Sequence, residues 1–276
     1  MTQRLLFVVN VDWFFVSHRL PIALEAMRQG YEVHIATGLT DQRDKLESCG
    51  LIVHPLALDR SSTGLLSQLR LAGQMYRVFQ SLQPDLVHLV TIKPVLLGGL
   101  AARWCGVPGV VAAISGLGFV FVDQGAKAAL RRTAVAWLYR LALGGRNLKA
   151  IFQNEDDRAT LMRLAHLPHK KTALIRGSGV DLAQYAQTPA PMGVPVVMLA
   201  ARLLADKGVR EFVFAARQAR KQLEMTTPVR FVLVGNIDPS NPASLPQNEI
   251  DDWVQEGAVE WWGHRTDMPL TLSQAS

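Results

Sequence analysis

The sequence predicts an α/β protein of two doubly wound, parallel-sheet domains, the second one incomplete. Three observations predict it. Short apolar runs alternate with helix-period segments along the whole chain, the pattern of a parallel sheet covered by helices. The runs are unbroken rather than alternately polar, as in strands buried on both faces. One proline-rich break, Thr188-Pro189-Ala190-Pro191-Met192-Gly193, separates 1–187 from 195–276 and leaves 188–194 as a linker. The C-terminal part holds only three strand-like runs, so one flank of its sheet is expected to be a bare edge.

The elements follow in order. Arg4 to Asn10 reads as the first buried strand. The loop after it, Asn10-Val11-Asp12-Trp13-Phe14-Phe15, sits where an open parallel sheet puts its ligands. Its aromatic residues line an apolar acceptor pocket or plug the domain. Ser17 is expected to cap a helix from His18 to Gln29 that ends at Gly30. Tyr31 to Thr37 and Leu51 to Leu56 read as strands around an amphipathic segment, Asp41 to Ser48. A helix from Leu65 to Leu82 stops before Pro84, and a strand from Asp85 to Val90 leads through Lys93 into a helix at Pro94. His88 and Lys93 are then placed near the carboxyl edge, although a lone strand histidine packs more often than it reacts. Val110 to Ile114 runs into Ser115-Gly116-Leu117-Gly118, where glycine lets a ligand approach the backbone.

Gly125 to Gly145 reads as a basic amphipathic helix. Lys127, Arg131, Arg132 and Arg140 stand with Trp137 in a form suited either to an in-plane membrane contact or to a core helix with a solvated back. Strands at Ala150 to Gln153 and Thr172 to Ile175 bracket a helix from Glu155 to Leu164 capped by Asn154. The second of these strands ends in Arg176-Gly177-Ser178-Gly179-Val180-Asp181.

In the C-terminal part, the strand Val194 to Ala200 runs into Ala201-Arg202-Leu203-Leu204-Ala205-Asp206-Lys207-Gly208 and a helix from Val209 to Leu223. Unpaired N–H groups at a helix start attract anions, Arg202 offers a planar fork of donors and Lys207 a mobile charge. A diphosphate fits that arrangement, and a loop with two solvated cations explains it equally well. The strand Arg230 to Val234 ends in Gly235-Asn236-Ile237-Asp238. A helix near Glu249 to Gln255, a strand Val259 to Trp262 and a last helix capped by Thr266 or Asp267 complete the chain.

Composition narrows the partners. A formal charge of +6 and a pI near 9.6 favour phosphates, an anionic membrane surface or nucleic acid. Nucleic acid is the weakest of these, because no zinc finger, RNP pattern or Lys/Arg run longer than two is present. Cys49 and Cys105 have no metal or redox spacing and read as thiols in a reducing cytosol. The N-terminus lacks a signal-peptide pattern, and the uncharged stretch Trp104 to Val122 carries too many Gly and Pro residues for a spanning helix.

Taken together, these motifs resemble the group 1 family of retaining, nucleotide-sugar-dependent glycosyltransferases, which have the GT-B fold of two Rossmann-like domains. The resemblance rests on Ser17-His18-Arg19-Leu20-Pro21, Gly30-Tyr31-Glu32-Val33, Gly177-Ser178-Gly179-Val180-Asp181, the Arg202 to Gly208 loop and Val232-Leu233-Val234-Gly235. It implies that Arg202 and Lys207 bind the donor diphosphate and stabilise the leaving nucleotide. Gly208, Gly235, Asn236, Gly177 and Ser178 would complete the donor site. Asn10, Asp12, Trp13, His18, His88, Lys93, Ser115 and Gly116 would face the acceptor. The donor would be a UDP-sugar and no metal would be needed. The acceptor would be a polyprenyl-diphosphate-linked sugar or a saccharide at the inner face of the cytoplasmic membrane, reached from the cytoplasm in envelope polysaccharide synthesis. Two departures stand out. Ser115 occupies the place of a family histidine. The family's glutamates eight positions apart have no counterpart, since Glu249 and Glu256 are seven apart. The resemblance therefore implies a member truncated at the C-terminus, with weak donor binding and slow transfer. A non-catalytic membrane-associated binding fragment and a sugar-nucleotide epimerase are the alternatives. A nicotinamide oxidoreductase is disfavoured by the missing G-x-G-x-x-G after the first strand.

Overall fold

The computed structural model describes residues 2–58, 64–116, 126–223, 228–239 and 241–276, without the side chains of 126–132 and 223. It comprises two compact units, Met1–Gly179 and Val180–Ser276. The division thus falls before the proline-rich stretch, which belongs to the second unit. Residues 180–194 are exposed, consistent with a segment that has no apolar run to bury.

Unit 1 is built on seven parallel strands. They are β1 (Arg4–Val11), β2 (Glu32–Gly38), β3 (Ile52–Pro55), β4 (Leu86–Val90), β5 (Gly109–Ile114), β6 (Leu148–Phe152) and β7 (Thr172–Leu174). Their order is β3-β2-β1-β4-β5-β6-β7, so the winding reverses between β1 and β4. Alternate residues of the same strand serve two cores. Leu5, Phe7 and Val9 pack with Phe15, Ala23 and Leu46 of α1 (Asp12–His18), α2 (Leu20–Arg28) and α3 (Arg43–Ser48). Leu6 and Val8 pack on the opposite face with Leu71, Met75 and Phe79 of α4 (Leu65–Leu82). That face also takes α5 (Gly99–Trp104), α6 (Ala126–Leu143) and α7 (Glu155–Leu164).

Two expectations about the helices need correction. The helix expected from His18 to Gln29 starts only at Leu20, as α2, and the stretch expected as a loop, Asn10 to Phe15, is instead the end of β1 and the first turn of α1; the two helices meet at Arg19, whose φ of −131° is not helical. Ser17 caps neither. Its hydroxyl lies within α1, donating to the Trp13 and Phe14 carbonyls, as serine does in a helix interior. The helix expected from Pro94 begins as one π-helical turn, Pro94–Gly98, before α5. Asn154 does cap α7, its Oδ1 accepting from the Asp157 N–H at 2.7 Å.

Unit 2 holds β8 (Val196–Ala200), α8 (Val209–Leu223), β9 (Arg230–Val234), α9 (Gln247–Gln255), β10 (Glu260–Trp261) and α10 (Met268–Leu272). The three strands are parallel in the order β10-β9-β8. Val213 and Ala216 of α8 pack with Leu233, Ile250 and Trp253 over this sheet. β8 is one edge. At its start, the Val196 carbonyl accepts from the Ser276 N–H at 2.9 Å. Asp267 precedes α10 as expected, but its carboxylate pairs with Arg265 rather than capping the helix backbone. Among the described residues, no helix is long and apolar enough to cross a membrane.

Candidate functional site

A cavity of about 360 Å³ opens at the carboxyl edge of the unit 1 sheet. Its wall includes Arg19, His88, Ser115, Gln153, Arg176 and the turn 177–179. The break at Arg19 is what sends that side chain inward. Only 6% of Arg19 is exposed. One of its terminal nitrogens, Nη1, donates to the His18 carbonyl at 2.9 Å and to Ser178 Oγ at 2.8 Å. Its Nε has no partner, and no described carboxylate pairs with it. Burial holds its pKa below the usual guanidinium range. A buried cation without a counter-charge is costly and attracts an anion.

His88 sits beside it in the middle of β4, with its ring 5.1 Å from that of Phe7. Its Nε2 is buried and unpartnered. Burial, with the Arg19 charge adding to it, pushes its pKa down to about 4, so the ring is neutral at pH 7. Asn10 Oδ1 at the end of β1 and Thr91 Oγ1 just after β4 are also buried without partners. Thr91 has a φ of +74°, which a β-branched residue adopts only under constraint. Gly177 and Gly179 have φ of +71° and +75°. That left-handed winding suits a backbone concavity for an anion.

The structure separates the residues expected to face the acceptor. His88 and Ser115 line the cavity, and Gly116 is the second residue after β5. Gly177 and Ser178, expected with the donor, are in this wall too. Asp12 is fully buried and turned elsewhere. Its carboxylate accepts from the Thr40 N–H at 2.7 Å, Thr40 Oγ1 at 2.6 Å, the Gln42 N–H at 3.2 Å and the Trp13 N–H at 2.8 Å. It pins the β2–α3 loop. Trp13 is partly exposed on α1. His18 ends α1, stacked on Phe14 at 4.3 Å, with its pKa lowered mainly by burial. Lys93 directly precedes the π-helical turn. Local sequence pattern does not identify Arg19, Arg176 and Gln153 as cavity residues. For Arg19 the clue was the Ser-His-Arg-Leu-Pro string itself.

In unit 2, the loop after β8 is shaped by β9. Gly235 has a φ of +136°, and a Cβ there would lie 1.9 Å from the Ala201 carbonyl oxygen. Only glycine lets the end of β9 pass so close. The Leu203 N–H then donates to the Asn236 carbonyl at 3.0 Å, which holds the loop with Arg202 exposed. Arg202 Nη1 meets Asp238 Oδ2 at 3.0 Å. Lys207 ends a short 3₁₀ turn, exposed, and Gly208 in left-handed conformation opens α8. Trp137 and Arg140 of α6 are exposed, while Lys127, Arg131 and Arg132 have side chains outside the described residues.

Glu249 and Glu256 are accounted for differently. Arg210 grips Glu249 at 2.6 and 2.8 Å, and Arg217 grips Glu256 at 2.8 and 2.5 Å. Both pairs are seven apart, two helical turns, and they fasten α8 to α9.

Comparison with known proteins agrees with this architecture. Residues 4–152 match the family model described as "Glycosyl transferase 4-like". A Campylobacter jejuni protein named N,N'-diacetylbacillosaminyl-diphospho-undecaprenol alpha-1,3-N-acetylgalactosaminyltransferase is 29% identical over 285 residues, covering 96% of this chain and 71% of its own length. A Rickettsia africae glycosyltransferase superposes with a TM-score of 0.70 at 16% identity, over 100% of this chain and 72% of its own. The Anabaena HepE protein, crystallised with UDP and glucose, superposes with a TM-score of 0.68 at 16% identity, over 99% and 72%. With the family model spanning more than half its length and GT-B enzymes as its structural neighbours, this chain belongs to the glycosyl transferase 4-like family.

Proposed function

We propose that the chain transfers a sugar from a UDP-sugar to a sugar carried on a polyprenyl diphosphate, in envelope glycan synthesis, working peripherally at the inner face of the cytoplasmic membrane. The observation that carries this is Arg19, buried beside the cavity with no described carboxylate partner. In this reading the acceptor's diphosphate supplies the missing negative charge. Arg176 and the left-handed turn at Gly177 and Gly179 assist it. Neutral His88 and Ser115 can then hydrogen-bond the acceptor sugar without adding charge. The name of the Campylobacter relative, a transferase acting on a diphospho-undecaprenol-linked sugar, supports that acceptor class.

Arg202 and Lys207 take the donor diphosphate, and Asp238 holds the Arg202 fork in place until the phosphates arrive. Two side-chain cations then do the work of charge neutralisation, so donor binding persists in EDTA. The sugar is transferred with retention of its anomeric configuration, which proton NMR of the product reads directly.

Titration separates the two halves. Arg19→Met is expected to weaken a short-chain, water-soluble diphospho-lipid-linked sugar at least about tenfold and leave UDP affinity unchanged, while Arg202→Ala does the reverse. Equal acceptor affinity in wild type and Arg19→Met would overturn the assignment of the cavity.

A further inference from the structure

We propose that the outward face of α4, continued by the end of α5, seats unit 1 on an anionic lipid bilayer. Leu65, Leu66 and Leu69 are 74%, 83% and 60% exposed on the first turns of α4. They share one side of the helix with exposed Arg70, Tyr76 and Arg77, while Leu71, Met75 and Phe79 point into the core. Tyr76 lines a groove with Trp104 of α5, which is 70% exposed. From Leu65 to Tyr76 this face runs about 16 Å along the helix axis. It is an amphipathic helix turned inside out: one side is in the core and the other offers apolar side chains and arginines to the surroundings.

Charge selects the occupant. Between residues 61 and 154 the chain has ten Lys and Arg but only Asp85 and Asp123, a net +8 that exceeds the +6 of the whole chain. α4 and α5 contain no acidic residue at all. A second copy of the chain docked here by two-fold symmetry would bring the arginines of both copies into one interface with no carboxylate of α4 or α5 to neutralise them. An anionic headgroup layer neutralises them, and the leucines and Trp104 reach its apolar boundary. α4 starts from the carboxyl edge of the sheet, the edge that carries the cavity, so its leucines stand at the end where a lipid-linked acceptor enters. This last point rests on the function proposed above, whereas the docking itself does not.

The experiment is co-sedimentation of the full chain with vesicles of phosphatidylethanolamine and phosphatidylglycerol, compared with phosphatidylcholine alone, in the absence of donor and acceptor. Binding to the anionic vesicles only, weakened by salt, is expected. Leu65→Ser/Leu66→Ser/Leu69→Ser should lower the partition at least about tenfold, and Arg70→Glu/Arg77→Glu should remove its salt dependence. Thermal melts of both variants, altered only at exposed positions, check that the fold persists. Undiminished binding by both variants overturns the proposal. So does a loss produced by Trp137→Ser but not by the leucine variant, which would place the contact on α6. Sedimentation velocity covers the remaining case: a dimer that the leucine variant dissociates shows this face to be an interface between copies. Vesicle binding without UDP affinity would sink the transferase reading and leave the docking face standing.

Discussion

Arg19 keeps a positive charge inside unit 1 with a hydroxyl and a carbonyl as its partners. The local string Ser17-His18-Arg19-Leu20-Pro21 marks the residue but not its burial, because Ser178, which it touches, is 159 positions away. The place of Arg202 and Lys207, exposed between β8 and α8, is legible, since a loop between a strand and a helix is read from adjacent residues alone. His88 was visible as a residue but not as an environment. Its imidazole loses proton affinity on folding, so the unfolded chain binds more protons between about pH 4 and the ordinary histidine value near 6.5. Stability contributed by neutral, buried His88 is therefore complete above about pH 6.5 and disappears as pH falls to about 4. Chemical denaturation at intervals across this window should show His88→Phe losing less stability than wild type, by up to about 3 kcal/mol. Parallel curves would show that the ring is hydrated. Gly235→Ala belongs to the same scale. With a Cβ placed 1.9 Å from the Ala201 carbonyl, it should cost at least about 2 kcal/mol in urea unfolding and weaken UDP binding by displacing Arg202.

The individual elements were the most readable level. α4, α7, α8 and β9 lie where the apolar period and the Pro and Asn punctuation put them, because each buries a regular stripe. The failures came where tertiary contacts outweighed local signals. Ser17 looks like a cap, yet α1 starts at Asp12, whose carboxylate takes the Trp13 N–H and three donors from Thr40 and Gln42. Glu249 and Glu256 do not match the family's spacing of eight, and only the pairing with Arg210 and Arg217, themselves seven apart, shows why theirs is seven. These carboxylates are held below their ordinary range by the arginine hydrogen bonds. Their contribution is thus present above about pH 4.5 and lost as pH falls through the lowered values. Exchanging one pair, Arg210→Glu with Glu249→Arg, should restore the melting temperature that either single change lowers, and high salt should shrink the difference. Single changes that lower nothing would mean that packing alone holds α8 to α9.

At the scale of the whole molecule, the sequence reveals two α/β halves but not the order of strands within them. That β1 lies between β2 and β4 depends on pairings such as Phe7 with His88, eighty-one positions apart, which no local period encodes. Charge distribution was half legible. The basic cluster from Lys127 to Lys149 is evident in the sequence and points to α6, whereas the exposure of Leu65, Leu66 and Leu69 on α4 is a matter only packing decides. Among the described residues, each apolar cluster draws its members from a single unit, 5–174 or 196–268. A scanning calorimeter should therefore record two melting steps instead of one. UDP should raise only the step belonging to the smaller half, and the diphospho-lipid only the other, so each ligand reports its own address through heat alone.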